Sequence, residues 1–465
     1  MKKPFSKSHT SFVKIVCLIV VPLITLGLGC KGPSSVEQAA IQPVVLNYWT
    51  VFNDVPLLRQ LADEYTATKP YLTINIRQVR YEELDTLFVN ALADDIAPDI
   101  ISVHNRMLRK YQPRLSAMPS SVSVANVFIE GQYAQQVVVD VQPQAMPSLT
   151  TLKAAYISTV PDDITIGGQI YGLPLSVDTL AIYYNTDLLD RAGVATPPTT
   201  WEEFLDAVKK STKFAQNGDI IQSGVAMGTG ANISNSPDML ALLMMQKGLE
   251  ITRGNSVLFN SDIRQLRSTH PALEALRFYT DFARPTKDVY SWNKEKSDAL
   301  GAFTRGQSVF YVGYAFDQAR IRVSAPQMNI GVIPIPQLDP SRPVNVANYW
   351  VESVVLKSQN RDVAWDFVRF ITTPANVQVY TNALRVPSPY RQHIAAQSED
   401  PLLAPFVGQI LTAKNWYRGR NVDVADRALS NLIDAYLEPY AVNVAPDQRD
   451  VNLIEDAAAI IQQTM

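Results

Sequence analysis

An α/β fold of largely parallel sheets, divided between two lobes, is what this sequence predicts, on three observations. From Val44 onward, short apolar runs alternate with amphipathic helical stretches, the pattern of parallel strands joined by crossover helices. The roughly 430 residues beyond Cys30 exceed the ~250–300 that one core usually holds, so two lobes are expected. The chain has only two cysteines, Cys17 and Cys30, so no cysteine pair staples the part beyond Cys30, and apolar burial must hold it.

The elements follow in order. Lys2, Lys3, Lys7 and Lys14 precede the uncharged run Ile15–Leu28, and Leu-Gly-Leu-Gly-Cys closes at Cys30. A run this short is the h-region of an export signal; a membrane span needs roughly 20 residues. Small residues before a cysteine suit a lipoprotein leader (1–30), in which the Cys30 thiol takes a diacylglycerol. The Leu usual three positions before the cysteine is replaced by Gly27, with Leu26 one step further off. An ordinary secreted protein with an incidental Cys30 is the alternative. Residues 31–43 are rich in Gly, Pro, Ser, Gln and Ala and read as a flexible tether.

Val44–Trp49 reads as a buried strand, Asp54 as the N-cap of a helix carrying Leu57, Leu58, Leu61 and Tyr65, and Pro70 as its stop. Leu72–Val79 is a second strand, Tyr81–Leu92 a helix and Pro98–Val103 a third strand. Parallel sheets of this kind gather ligands at the carboxyl ends of their strands, here Trp49-Thr50 and His104-Asn105. Pro119–Asp163 lacks steady periodicity and is expected to be a long excursion with some local helix. Leu180–Tyr184 is a strongly apolar strand, and Thr200 with Glu203 forms a capping box. Helices are expected at Pro237–Lys247, Pro271–Ala283, Asp298–Arg305, Arg361–Thr372, Pro374–Thr381, Pro401–Asn415 and Ala425–Tyr440, with a short one at Asn452–Gln463. Ser308–Gly313, Asn329–Ile335 and Val351–Leu356 are expected strands.

A formal charge of −3 and a pI near 5.9 show no basic excess, which argues against nucleic acid as a partner. His104, His270 and His393 have no metal-ligand spacing, and neither a Gly-x-Ser-x-Gly elbow nor a phosphate loop occurs. No enzyme activity, cofactor or metal is expected.

Six phrases together resemble the extracellular solute-binding proteins of the maltose-binding type, the substrate-capturing lipoproteins of ABC importers. They are Leu46–Phe52, Ala97–Ile100, Tyr171–Asn185, Pro197–Phe204, Phe303–Phe310 and Ala364–Val368, in the family's order from Val44 to about Trp416. Ala97 replaces the usual Gly, and Gln307 the usual Lys. The resemblance implies a two-lobed periplasmic-binding-protein type II fold, each lobe a sheet flanked by helices, hinged at crossovers. Lobe 1 is expected at 44–180 plus 310–350, with Phe303–Phe310 returning the chain to it, and lobe 2 at 181–309 plus 351–465. The implied partners are a small solute, an ABC permease in the membrane and the bilayer itself, through the lipid. A monomer on the outer face of the cell membrane is expected.

Sugar recognition needs aromatic faces and a few fixed polar groups. Trp49 ends the first strand, Trp350 stands at a crossover, and Trp416 follows a C-terminal helix. The polar and further aromatic candidates are His104, Asn105, Asp178, Tyr314, Asp317 and Glu352. Trp201 and Trp365 are read as core, and Trp292 is left open. An oligosaccharide or glycoside is the first reading. A polyamine or basic peptide caged by aromatic faces is the second, with Asp178, Asp317 and Glu352 as counter-charges. A surface adhesion protein is the third.

Overall fold

The computed structural model describes residue 38 and residues 41–130, 136–439 and 445–465. Cys30, the leader and most of the expected tether lie outside the described residues, as does the expected helix end at Tyr440. No described helix is long and apolar enough to cross a membrane.

Two five-stranded sheets organise the chain. In the first, Val44–Thr50 lies between Leu72–Gln78 and Ile100–His104, parallel to both. Trp350–Val354 and then Leu173–Pro174 extend it on the other side, each antiparallel to its neighbour. The helix Val55–Thr66 starts where Asp54 Oδ1 accepts from the Leu57 N–H at 2.9 Å, and it buries Leu58, Leu61, Ala62 and Tyr65. Burying each leucine contributes about 1.5–3 kcal/mol.

The second sheet runs Lys213–Phe214, Ile220–Val225, Ser308–Gly313, Ala181–Asn185, Ile330–Pro334. Its central strand Ser308–Gly313 is buried at every position, which suits a strand with neighbours on both edges. The capping box at Thr200 and Glu203 opens the helix Trp201–Ser211, whose apolar face packs on this sheet.

A third, small sheet joins the two. Asp178–Thr179 leads from the first sheet to the second, Asn345–Asn348 leads back, and Ala413–Lys414 lies beside the latter. The Gln409 side chain ties these passes together. Its Oε1 accepts from the Ile335 N–H and from Asn345 Nδ2, and its Nε2 donates to the Leu180 carbonyl.

Strand pairing corrects the expected lobe boundaries. Ser308–Gly313 and Ile330–Pro334 belong to the second sheet, so 310–350 is not a lobe 1 segment and Phe303–Phe310 does not return the chain to the first lobe. Trp350–Val354 belongs to the first sheet, and the helix Arg361–Ile371 packs on that strand and on Val55–Thr66. The chain recrosses at Asn345–Asn348 instead. A buried strand carries no local mark of which sheet receives it.

Three element expectations also change. Ser121–Glu130 and Gln136–Ala145 form a ten-residue antiparallel ladder inside the excursion expected to be irregular with local helix, ahead of short helices at Leu149–Ala155 and Thr159–Ile164. Pro401–Asn415 is broken into the short helix Ala404–Val407, a 3-10 turn and the crossing strand, because its polar Gln409 is drawn into the junction. The last helix is longer than expected, Pro446–Gln462, with Pro446 in its first turn. Trp201, Trp292 and Trp365 are all core residues.

Candidate functional site: the cleft between the sheets

A cavity of about 570 Å³ opens between the two sheets, a volume in the range of small-molecule sites. Trp350 forms its first wall. It stands opposite His104 in the strand register and is ringed by Phe52, Tyr81 and His104 at centroid distances of 5.4, 6.2 and 5.3 Å. Phe52 is 69% exposed at the cavity's edge. The opposite wall holds Tyr314 and Phe316, stacked at 5.6 Å with 15° between planes. Phe316 is 44% exposed.

Charged groups bridge these walls. Arg106 leaves the carboxyl end of the strand Ile100–His104 and reaches Asp238, on the helix Ser236–Gln246, with Nη2 2.7 Å from Oδ1. The same Asp238 carboxylate accepts from Tyr314 Oη and Trp416 Nε1, both at 2.6 Å. The Arg106 guanidinium lies over the Trp416 ring at 5.1 Å. Burial opposes its charge, but Asp238, Tyr314 and Asp426 outweigh burial and keep the guanidinium firmly protonated. A second bridge runs from Tyr81 Oη to Asp423 Oδ1 at 2.7 Å.

His104 is held neutral. Burial, and after it the Arg106 charge, lower its pKa to about 4, and its Nε2 lies 2.6 Å from Asn348 Oδ1. Asp178 is pushed up to about 7 by burial, although its carboxylate accepts from the backbone N–H groups of Thr179, Ala315 and Phe316 at 2.8, 3.0 and 3.1 Å. It pins the first crossing strand to the start of the Asp317 helix while lining the cavity. Asp317 accepts from Tyr311 Oη at 2.9 Å and from the Tyr314 N–H, and burial raises its pKa as well. Asp426 is pushed up to about 7, by burial first; Arg106 opposes the shift, and Asp238 and Asp423 add to it. No group of His, Cys, Asp or Glu that could hold a metal ion occurs among the described residues.

Of the residues singled out from sequence, His104, Asp178, Tyr314, Asp317 and Trp350 converge on this cavity. Four do not line it. Trp49 is buried within its strand with the Arg77 guanidinium 5.0 Å from its ring; the loop beyond the strand presents Phe52 instead. Asn105 is turned inward, its Nδ2 3.3 Å from Asp163 Oδ2. Glu352 is fully buried, accepting from Tyr48, Ser102 and Asn53, and burial raises its pKa. Trp416 is also buried and faces a second cavity of about 690 Å³ that also holds Arg418 and Lys414. That cavity is the larger, but among its lining residues only Trp416 is aromatic, so the site is assigned to the cleft where rings from both walls meet.

Phe52, Tyr81, Arg106, Asp238, Phe316 and Asp426 were not foreseen. Phe52, Arg106 and Phe316 lie within two or three residues of positions that were, on the same strand ends. Asp238 and Asp426 sit on helices, and no local signal aims them at the cleft.

A binding protein of Brucella abortus is 27% identical over 227 residues, 47% of this chain and 50% of that one, so the chain spans about half the length of this curated relative. The multiple sugar-binding protein of Streptococcus mutans is 23% identical over 385 residues, covering 79% of this chain and 80% of its own. The crystal structure of the cyclic α-maltosyl-1,6-maltose binding protein from Arthrobacter globiformis superposes with a TM-score of 0.70 at 17% identity, covering 90% of this chain and 100% of that one. The likeness is one of fold: two sheets, flanked by helices, around a cleft. Residues 60–403 match the family described as bacterial extracellular solute-binding protein, a family of binding proteins rather than enzymes, and this chain belongs to it.

Proposed function

We propose that the cleft captures an oligosaccharide or glycoside outside the cell and that the chain hands it to the membrane subunits of an ABC importer. The observation that carries this reading is the pair of aromatic walls, exposed Phe52 against Trp350 and exposed Phe316 stacked on buried Tyr314, on opposite sides of buried polar groups. Ring faces stack on the C–H surfaces of a pyranose, and Asn348, Arg106 and Asp426 offer both donors and acceptors for hydroxyls. The sugar-binding names of the Streptococcus mutans and Arthrobacter globiformis proteins support it. The Cys30 thiol would carry the lipid that keeps the receptor at the outer face of the membrane.

A cationic ligand is the second reading, favoured by the carboxylates of Asp423 and Asp426 on the cleft wall. Against it, Asp178, Asp238, Asp317 and Asp423 already accept hydrogen bonds from protein groups.

A thermal-shift screen of the chain from Lys31 onward, against sugars, polyamines and basic peptides, tests both. Ligand at a hundred times its dissociation constant adds roughly 2.7 kcal/mol of stability. A shift with one sugar class that survives high salt supports sugar capture. A shift with amines alone, fading as salt rises, moves the assignment to a cation cage. No shift with any class would overturn both.

A further inference from the structure

The hairpin Ser121–Glu130/Gln136–Ala145 has no part in the cleft, and its two halves have opposite surroundings. Its inner half is fastened to the first lobe. The Val127 N–H donates to the Thr68 carbonyl at 2.8 Å, Tyr71 Oη to the Ala125 carbonyl at 2.7 Å, and Lys69 Nζ to Asn126 Oδ1 at 2.8 Å. Val122 and Val124 are buried there, and the helix Arg361–Ile371 packs against this strand. Its outer half is apolar and bare: Ile129 is 69%, Val137 56% and Phe128 40% exposed. Ile129 faces Val137 across the ladder, so both lie on one face of the ribbon, with Phe128 on the other. From Pro119 to Met146 there is no Lys or Arg, and Glu130 and Asp140 are the only charged residues in a ribbon of the kind whose edges are usually guarded by charges.

The first strand begins beside this end of the lobe. The Val44 N–H donates to the carbonyl of Tyr71, the residue whose hydroxyl grips the hairpin at Ala125. The segment leading back to Cys30 therefore leaves the lobe beside the hairpin's base. Residues 31–43 number thirteen and can reach at most about 45 Å when fully extended. From Ala125 to Ile129 the ribbon advances about 13 Å. A bilayer holding the lipid of Cys30 thus lies within that reach of the hairpin's outer half.

We infer that the outer half of this hairpin is a second membrane contact, with Phe128, Ile129 and Val137 entering the interfacial layer of the bilayer to which the chain is tethered. The inference rests on the lipid-anchored reading of Cys30. The contact is driven by apolar area and needs no anionic lipid, because the segment carries no basic residue. Alone it is weak. Next to a tether it acts at high effective concentration and fixes how the first lobe sits over the membrane.

The test uses the chain from Lys31, which contains no cysteine, carried on an N-terminal polyhistidine tag by phosphatidylcholine vesicles containing a nickel-chelating lipid. An environment-sensitive dye is placed at Ile129→Cys or, as a control on the second lobe, at Val323→Cys, where Val323 is 84% exposed. The expected result is a several-fold rise in fluorescence with a blue shift at position 129 and none at 323, abolished by adding Val137→Asp. That variant alters an exposed side chain, and an unchanged unfolding midpoint will show that it folds. No change at 129 on tethered vesicles overturns the inference. A rise at 129 without vesicles that grows with protein concentration overturns it too, in favour of pairing between two copies through the Gln136–Ala145 edge. Acylation of Cys30 is read separately, by mass, so failure of the anchor and failure of the hairpin contact are told apart.

Discussion

Replacing Asp238 with asparagine should open the cleft rather than unfold the protein. In this structure Asp238 is a bridge with its three partners on different elements: Arg106 from the first sheet, Tyr314 beyond the second, and Trp416 from the C-terminal crossing segment. Arg106 is only 4% exposed, so the neutral amide of the Asp238→Asn variant leaves its guanidinium enclosed, with Asp426 3.9 Å away. Removing one member of a buried ion pair costs about 3–5 kcal/mol when the remaining charge stays buried. Here the charge has an escape, because separating the lobes returns Arg106 to water. The cost then falls on the closed arrangement alone, shifting closed against open by roughly a hundredfold to several thousandfold. Small-angle scattering, or a distance measured between dyes on the two lobes, should report the wider form. Ligand affinity should fall by a comparable factor, since ligand must then also draw the lobes together. The denaturant midpoint should move little. A large loss of unfolding stability with no change in lobe separation would refute the reasoning and make the bridge an ordinary element of the core.

Three further outcomes are expected. Trp350→Ala removes the central ring of the first wall and should cost about 2 kcal/mol of ligand binding, roughly thirtyfold, with little change in the unfolding midpoint; titration calorimetry checks this. Burial raises Asp178 to about 7, so the folded chain binds a proton there more readily than the unfolded one. Wild type should therefore lose stability relative to Asp178→Asn as pH climbs from about 4 to about 7, and a difference moving the other way in denaturant melts would contradict the assignment. Gly230→Ala would drive a Cβ into the Ser430 carbonyl, where the backbone passes close to the helix Val422–Leu437, and should lower unfolding stability by about 1–3 kcal/mol. An unchanged denaturant midpoint would mean that this helix yields.

The legible parts of the fold were those fixed by neighbours in sequence. Asp54 and Thr200 announce their helices because a cap's partner lies three residues away, and both caps are formed. The strand at Ile100–His104 was legible because both its faces are covered, leaving a short apolar run. Val44–Thr50 was legible because its run Val44-Val45-Leu46 leads into the buried Tyr48-Trp49, although Val45 and Asn47 stay exposed. The hairpin hid for a related reason. Val127-Phe128-Ile129 and Val137-Val138-Val139 put apolar residues on both faces at its outer end, so the alternation that marks a strand is lost. In the site, strand-end residues such as His104 and Trp350 were found by position alone. Asp238 was not, because its partners Tyr314 and Trp416 lie 76 and 178 residues away along the chain. Trp49 and Glu352 misled because nearness to a strand end does not set which way a side chain points, and theirs point into packed interior.

The interleaving of the two sheets also has a consequence for biosynthesis. Trp350–Val354 lies between Ile100–His104 and Leu173–Pro174, so the first sheet is cut in two until that strand has been made. Between Pro174 and Val354 the ribosome must first deliver the whole strand set of the second sheet, roughly 10–40 s of synthesis at common rates. During that interval the nascent first lobe has the helix Val55–Thr66 but lacks the strand and the helix Arg361–Ile371 that pack around it. An N-terminal half that cannot finish folding early would remain easier to thread through an export channel. Strand order would then set the timing of folding, holding it back until the chain has crossed.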